Sequence, residues 1–333
     1  MSTDNACMLY LGTGDGLYVV RLHNEELDIC NQVADGNAVR DISVHEDNPR
    51  EVFIGCGLRG WGLYHVDDVI GDTLEADDGT TQIAFEDQWV WGVTRHPHNP
   101  ETLYVGTEPP ALYVSRDNGE TFNRFDGIDS LQSRPDWTFF HEPFYEGHIH
   151  GIAIHPEQPD RIVAGVEHGA LIYTTDGGET WHEALVGSDV HRVAINPRDA
   201  AHVLVATGSG LYQSFDGATT WERTPDLKGY YLHTIHFAGD DALYVYADRK
   251  GDPLYRSTDE GQSWQPVGDG LPAARPADVL RSHPENPEQL IYVGDTTEKT
   301  SEVFVSPNAG ETWNKLDMSF PKVWRLAVVP DLS

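Results

Sequence analysis

The sequence predicts an all-β chain folded as a seven-bladed β-propeller of four-stranded antiparallel blades, and three observations carry that prediction. A short turn motif recurs five times along the chain. Around each copy apolar and polar residues alternate with a period of two, and no stretch shows a helical period. The two chain ends supply complementary parts of one further unit, so the ring can close.

The motif is an apolar strand ending in Ser or Thr, then x-Asp-x-Gly-x-Thr-Trp, then a second strand. The clearest copies are Ser115 to Phe122, Thr174 to Trp181 and Ser257 to Trp264. Two are degenerate: Ser214 to Trp221 has Ala218 at the glycine position, and Ser306 to Trp313 has Asn308 for the aspartate. The Asp side chain can accept hydrogen bonds from turn amides, the glycine supplies a positive φ, and the aromatic packs between neighbouring sheets. These residues therefore read as hairpin staples, not ligand contacts.

Each copy sits in a longer unit of four strand-like segments, clearest in HIHGIAIHP, RIVAGVEHG, ALIYTTD and TWHEAL between His148 and Leu185. Blades are expected at about 38–86, 89–125, 148–185, 189–224, 230–267 and 275–316. Val323 to Pro330 matches a first strand with nothing after it. The segment MLYLGTGDGLYVVR matches the second and third strands, as TLYVGTEPPALYVSR at Thr102 to Arg116 shows. The seventh blade is thus 323–330 joined to 8–33, which removes both exposed sheet edges, and 1–333 reads as a single domain.

This pattern resembles the Asp-box, or BNR, repeat of sialidases, sortilin-type receptors and the photosystem II assembly factor. The resemblance spans nearly the whole chain but concerns the scaffold, and a fold does not carry a function with it. Sialidases of this superfamily use an arginine triad, a Tyr-Glu nucleophile pair and an acidic Asp on six blades. Their N-terminal arginine motif is missing here, so sialidase activity is not expected.

Charge narrows the partners. Acidic residues outnumber basic ones 54 to 22, for a net charge of −32. Such a field repels nucleic acid and anionic membranes. The basic set is poor in lysine, as in salt-adapted cytosolic proteins, so a halophilic source is expected. Cys7, Cys30 and Cys56 form no metal motif and read as small apolar residues. The start of the chain lacks a signal-peptide pattern and no run approaches a membrane span, so a cytoplasmic location is the expectation.

Strand order places the loops between blades and the second-to-third-strand loops at one end, the top, and the Asp-boxes and the His-Pro turns (His96-Pro97, His155-Pro156, His283-Pro284) at the other. The first strands give an apolar column, Ile42, Val93, Ile152, Val193, Ile235, Leu280 and Leu326. Two residues nearer the top the column becomes Arg40, Trp91, His150, His191, His233, Asp278 and Trp324. It converges charged, imidazole and indole groups on the channel mouth, although a wet polar channel would accept the same residues. Arg192, Arg325 and Glu167 join them as ligand-binding candidates, with Glu108, Arg59 and Asp295 nearby.

His150, His191 and His233 fall on consecutive blades. They are expected either to bind a divalent transition metal, zinc or manganese, with Glu167 or water completing the set, or to serve a metal-free pocket as anion or proton-exchange groups. They are also the candidate catalytic residues. In that reading Arg40, Arg192 and Arg325 hold an anionic group and Trp91 and Trp324 form stacking walls. An insertion at 126–147, with Arg134, Asp136, Trp137, Phe139, Phe140, His141, Phe144 and Tyr145, reads as a lid or as a flap packing its own aromatics. A second, at Asp67 to Gln82, reads as solvated.

Two function classes remain open. One is a small-molecule or saccharide pocket at the top mouth, with a metal-assisted lyase or hydrolase as its catalytic form. The other is a protein-interaction or assembly scaffold using the top rim and the aromatic insertion.

The charge makes a direct prediction. Reducing potassium chloride from molar to about 0.1 M lengthens the Debye length to about 10 Å, so a thermal melt should shift to lower temperature. An unchanged melting point would remove the salt-adaptation reading.

Overall fold

In a computed structural model, residues 6–71, 79–140, 142–239, 242–248, 252–273 and 278–332 are described. Among them the strands form seven four-stranded antiparallel sheets arranged as propeller blades. Blade 1 joins Val323–Pro330 to Cys7–Thr13, Gly16–His23 and Glu26–Val33. Blades 2 to 7 follow in chain order, with inner strands Val39–His45, Trp89–His96, His148–Ile154, Val190–Asn196, Leu232–Ala238 and Leu280–His283. The expected closure is therefore present: Cys7 pairs with Pro330 and Leu11 with Leu326.

Blades pack where a second strand is small enough for the next inner strand to approach. A Cβ at Gly106 would lie 2.2 Å from the Ile149 carbonyl oxygen, and one at Gly55 would lie 2.7 Å from Val90. The apolar column packs into the cores between blades: Ile42 beside Val39 and Ile54, Ile152 beside Ile149 and Ala164, Leu326 beside Leu11 and Val323. Burial of this kind stabilises by roughly 25 cal/mol per Å² of apolar surface.

The repeated turns act as staples. Asp176 accepts the Thr180 amide at 2.9 Å and its hydroxyl at 2.6 Å, while the Gly178 amide donates to Thr174. Asp117 and Asp259 repeat the arrangement. Ala218 takes the glycine position of its copy at φ 78°, a conformation that strains a residue with a Cβ. The His-Pro turns are local caps, with His96 and His155 each accepting two backbone amides through Nδ1. The Asp67 to Gln82 insertion lies partly outside the described residues.

Because Leu326 is fully buried in the closing strand, Leu326→Ala should cost about 2–5 kcal/mol, as a large-to-small change does in any well-packed core. Leu204→Ala in blade 5, equally buried, is the internal comparison. Chemical denaturation of both variants measures whether the closing strand belongs to one cooperative unit, and a near-silent Leu326→Ala would show that it frays independently.

Candidate functional site

The residues singled out at the channel mouth surround one cavity of about 410 Å³. Arg40, Trp91, His150, Glu167, His191, Arg192, His233, Asp278, Trp324 and Arg325 all border it, joined by Phe139, His168 and Tyr231. A shared local distortion brings them there. The register of the inner strand shifts between Val39 and Asp41, Val90 and Gly92, Val190 and Arg192, Leu232 and Thr234, and opposite Gly12 and Thr13. The extra residues are Arg40, Trp91, His191, His233 and Trp324. A bulge re-aims side chains and breaks the alternation of the strand, so two consecutive residues can turn inward, as His191 with Arg192 and Trp324 with Arg325 do. In blade 4 the shift falls one residue later, at Gly151, whose φ of 64° suits glycine.

The arginines divide into two groups. Arg192, Arg281 and Arg325 all converge on Asp278, with Arg281 bidentate at 2.7 and 2.9 Å. Arg325 also reaches Asp41 at 2.7 Å, and Asp41 accepts the amides of Ile42 and Val93. Burial works against the charge of Asp278, but Arg192 and Arg281 hold its carboxyl down to about 2. At Asp41 burial prevails over Arg192 and the two amides and raises the carboxyl to about 6. Arg192 and Arg325, expected as ligand-binding residues, border the cavity but are paired with carboxylates of the protein itself.

Arg40 is different. Its guanidinium lies 3.9 Å from the Trp324 ring and 4.7 Å from that of Trp91. It makes no hydrogen bond or ion pair among the described residues, and its Nε is buried without a partner. Burial lowers it to about 9, against the opposing pull of Glu167 and Glu108. The two indoles therefore cradle a cation and are not open stacking walls, and Trp91 also stacks on His148 at 3.9 Å.

The histidines do not converge as one triad. His150 Nε2 lies 2.9 Å from the Val190 carbonyl, and His191 Nδ1 lies 2.6 Å from that of Leu232, so each ring bridges to the next blade. His191 Nε2 faces Asp189 at 3.1 Å, and the rings of His191 and His233 stack with centroids 4.7 Å apart. Stacked rings direct their nitrogens sideways, not toward a common point. Among the described residues, the set at this mouth with two imidazoles and convergent ligand atoms is His148, His150 and Glu167. Burial lowers His150 and His233 to about 3, the latter helped by His191, whereas Asp189 outweighs burial and raises His191. Glu167 falls well below the usual carboxylate range because His148, His150 and His191 outweigh its burial.

Sequence reasoning missed His148 as a site residue. It is fully buried, with Nε2 2.9 Å from Glu167 and Nδ1 3.4 Å from Glu108. Glu108 also accepts the Trp91 indole N–H at 2.8 Å, and its carboxyl is raised to about 8, first by burial, with repulsion from Glu167 adding. His148, Asp189 and Tyr231 occupy the position two residues before the chosen column on their own blades, and that offset was the available signal. Of the other nearby candidates, Asp295 is held by Lys322 and Ser301, and Arg59 donates to the Gly14 carbonyl.

The insertion between blades 3 and 4 carries two short 3-10 turns, Asp126–Ser130 and Arg134–Asp136. Trp137 is buried and donates to Ser133, which is bound to Glu183, so this tryptophan anchors the segment and is not presented to a partner. Phe139 borders the cavity, Phe144 packs on Trp61 and Trp89, and Phe140 is 87% exposed. His141 lies outside the described residues.

Comparison with known proteins agrees with the repeat and the fold. Residues 172–183 match the BNR/Asp-box repeat model, and residues 209–328 match the model described as sortilin, neurotensin receptor 3. Repeat and blades together define an Asp-box β-propeller. Over these segments the chain is similar to sortilin-type and other Asp-box propellers, among them a photosystem II assembly factor. It is 26% identical over 237 residues to xyloglucanase Xgh74A of Acetivibrio thermocellus, covering 64% of this chain and 25% of that protein. It is 28% identical over 152 residues to the photosystem II assembly lipoprotein Ycf48 of Picosynechococcus sp., covering 44% of this chain and 42% of that protein. The crystal structure of the GH74 xyloglucanase from Xanthomonas campestris shares the fold, with a TM-score of 0.68 at 14% identity over 96% of this chain and 52% of that one. The chain therefore spans a quarter of the length of the first of these relatives, and less than half of the second.

The Asp278 cluster yields a stability prediction. Asp278→Asn leaves three guanidiniums without their shared carboxylate and should cost about 3–5 kcal/mol at neutral pH. The Asp278 pKa is depressed, so its contribution is complete above the unfolded value near 3.9 and is lost as pH falls through about 2. Asp41 has the opposite sign: its raised value makes the fold lose stability as pH rises from about 4 to 6. Denaturation of wild type and variant from pH 7 to 2 should show the variant with a shallower acid limb.

Proposed function

We propose that the channel mouth binds a small anionic ligand of the saccharide or organic-acid class. The observation that carries this reading is Arg40, a guanidinium without a carboxylate in ion-pair distance among the described residues, lying against two tryptophans at the wall of the cavity. Arg40 is half-buried and its Nε is buried without a partner; a carboxylate or phosphate on a ligand would complete an ion pair with it by charge-assisted hydrogen bonds. The cavity sits at the small end of the roughly 300–1,000 Å³ range of ligand pockets, which suits one or two sugar rings better than a long polymer. Similarity to xyloglucanases supports a saccharide as the ligand class, although xyloglucan itself is uncharged.

The enzymatic form of this reading is a lyase or hydrolase. Glu167 is a weak proton acceptor because the surrounding imidazoles hold it strongly ionised, and a general base works best with a pKa near the operating pH. Acid–base chemistry through Glu167 alone therefore fits poorly. A scaffold reading is favoured by one separate observation: Phe140, Tyr145 and Trp61 stand exposed at and beside the insertion, where a protein partner could bury them.

Isothermal titration against glucuronate- and galacturonate-containing disaccharides, with neutral xyloglucan oligosaccharides as the contrast, tests the pocket. Acidic sugars should bind, and Arg40→Ala should weaken them about 10–150-fold, the equivalent of the roughly 1.5–3 kcal/mol of a charged hydrogen bond. Binding that is indifferent to Arg40→Ala, or lost in Phe140→Ala instead, would move the function to the rim.

A further inference from the structure

We infer that His148, His150 and Glu167 form a binding site for one divalent transition-metal ion at the wall of the channel-mouth cavity. The assignment stands on the ligand geometry alone, and only its role toward a ligand on Arg40 rests on the function proposed above. Glu167 lies on the top end of the second strand of blade 4, Ile162–Glu167, which pairs directly with the inner strand His148–Ile154. His148 stands opposite Glu167 in that register, and His150 follows two residues along. Both imidazoles thus approach one carboxylate from a single two-stranded ladder.

The distances suit an ion. Glu167 Oε2 is 2.9 Å from His148 Nε2 and 3.3 Å from His150 Nε2. Ligand atoms about 2.0–2.2 Å from a tetrahedral ion are separated by roughly 3.3 Å, so small shifts would seat it. Two imidazole nitrogens and one carboxylate oxygen favour zinc, manganese or a neighbouring ion over calcium or magnesium. Three protein ligands leave at least one coordination position toward the cavity, where a ligand oxygen could be polarised.

The surroundings are those of a held ligand set. His148 turns its other nitrogen, Nδ1, toward Glu108 at 3.4 Å and lies flat on Trp91. A carboxylate behind a ligating imidazole fixes its orientation and tautomer. One interaction opposes the ion: His150 Nε2 now lies against the Val190 carbonyl, and coordination through that nitrogen gives up this contact.

Two other sets have ligand atoms at similar spacing, Glu51–His65–Asp67 and Glu167–His168–Asp189. In the first, Glu51 is already taken by Arg95, His65 and Asn118, and Asp67 is exposed. In the second, only one imidazole is available, and Asp189 is engaged with His191 and Tyr231. Neither offers two imidazoles to one carboxylate.

The test is elemental analysis of protein purified without affinity tag or chelator, together with titration of the apoprotein by zinc and manganese chloride. Near-stoichiometric metal is expected, lost in His150→Ala and in the near-isosteric Glu167→Gln, and kept in His65→Ala and His168→Ala. Circular dichroism melts confirm that each variant is folded. Glu108→Gln should weaken metal affinity by about 10–100-fold, as loss of an orienting carboxylate does. An apoprotein that takes up neither ion, or uptake unchanged in Glu167→Gln, overturns the assignment. Metal lost in His65→Ala or His168→Ala but kept in His150→Ala overturns it in favour of another set. Arg40→Ala separates the two readings: it should lose the acidic sugar and keep the ion, whereas failure of the metal assignment alone leaves sugar binding intact.

Discussion

In six of the seven blades the inner strand breaks its alternation near the channel mouth. The site depends on this break. A register shift at Trp324, Arg40, Trp91, His191 and His233 adds one residue per strand at the same level of the ring. Below it, alternation sends Ile42, Val193 and Leu326 into the cores between blades. At and above it, pairs such as His191 with Arg192 and Trp324 with Arg325 turn inward together. One local irregularity, repeated around the ring, therefore divides the propeller into a packed scaffold and a polar mouth.

Within that mouth two electrostatic arrangements sit side by side. On the side of blades 7, 1 and 2, Asp278 and Asp41 share Arg192, Arg281 and Arg325, and this cluster ties strands distant in sequence across the axis. It is satisfied from within and has little left to offer a ligand. Across blades 2, 3 and 4 the arrangement is unfinished: Arg40 has aromatic neighbours but, among the described residues, no carboxylate in ion-pair contact, and two imidazoles lean on Glu167. The Trp91 ring links the halves of this second arrangement, touching Arg40 and His148. A buried polar group left without a partner costs free energy comparable to a lost hydrogen bond or more, so the unfinished side is where binding energy is available.

The fold was legible because its signals are local and repeated. Asp176 and its counterparts mark a turn whose hydrogen bonds lie within five residues, and the match between Val323–Pro330 and other inner strands is visible in the residues themselves. The column of mouth residues was legible for the same reason, because equivalent strand positions can be aligned. What remained hidden was the pairing within the cavity. Arg192 and Arg325 look like Arg40 in sequence, yet Asp278 and Asp41 neutralise them from blades far away in the chain. The His150, His191 and His233 set looks convergent by position, but ring orientation is set by the carbonyls of Val190 and Leu232 in the next blade. His148 was passed over because a buried histidine two residues off the column reads as core, and only Glu108 and Glu167 give it a different meaning. Trp137 shows the converse, an aromatic that reads as a contact surface but closes the base of its own loop.

The relatives constrain function less than the fold suggests. This chain spans a quarter of the Acetivibrio thermocellus xyloglucanase it resembles, and about half of the related crystal structure. An activity that belongs to a whole protein of that length need not reside in the shared portion. The cavity here is lined from the inner strands of six blades, the closing strand among them, and by Asp278 just before the seventh, so its lining comes from one propeller. Its chemistry must then be argued from its own groups. A strongly ionised carboxylate is poorly suited to taking a proton, since its affinity for one has been given up to the surrounding imidazoles. The same carboxylate, with two imidazoles beside it and the Glu108 carboxyl group behind one of them, is well suited to holding a cation. The physical features that weaken Glu167 as a base are those that strengthen it as a ligand.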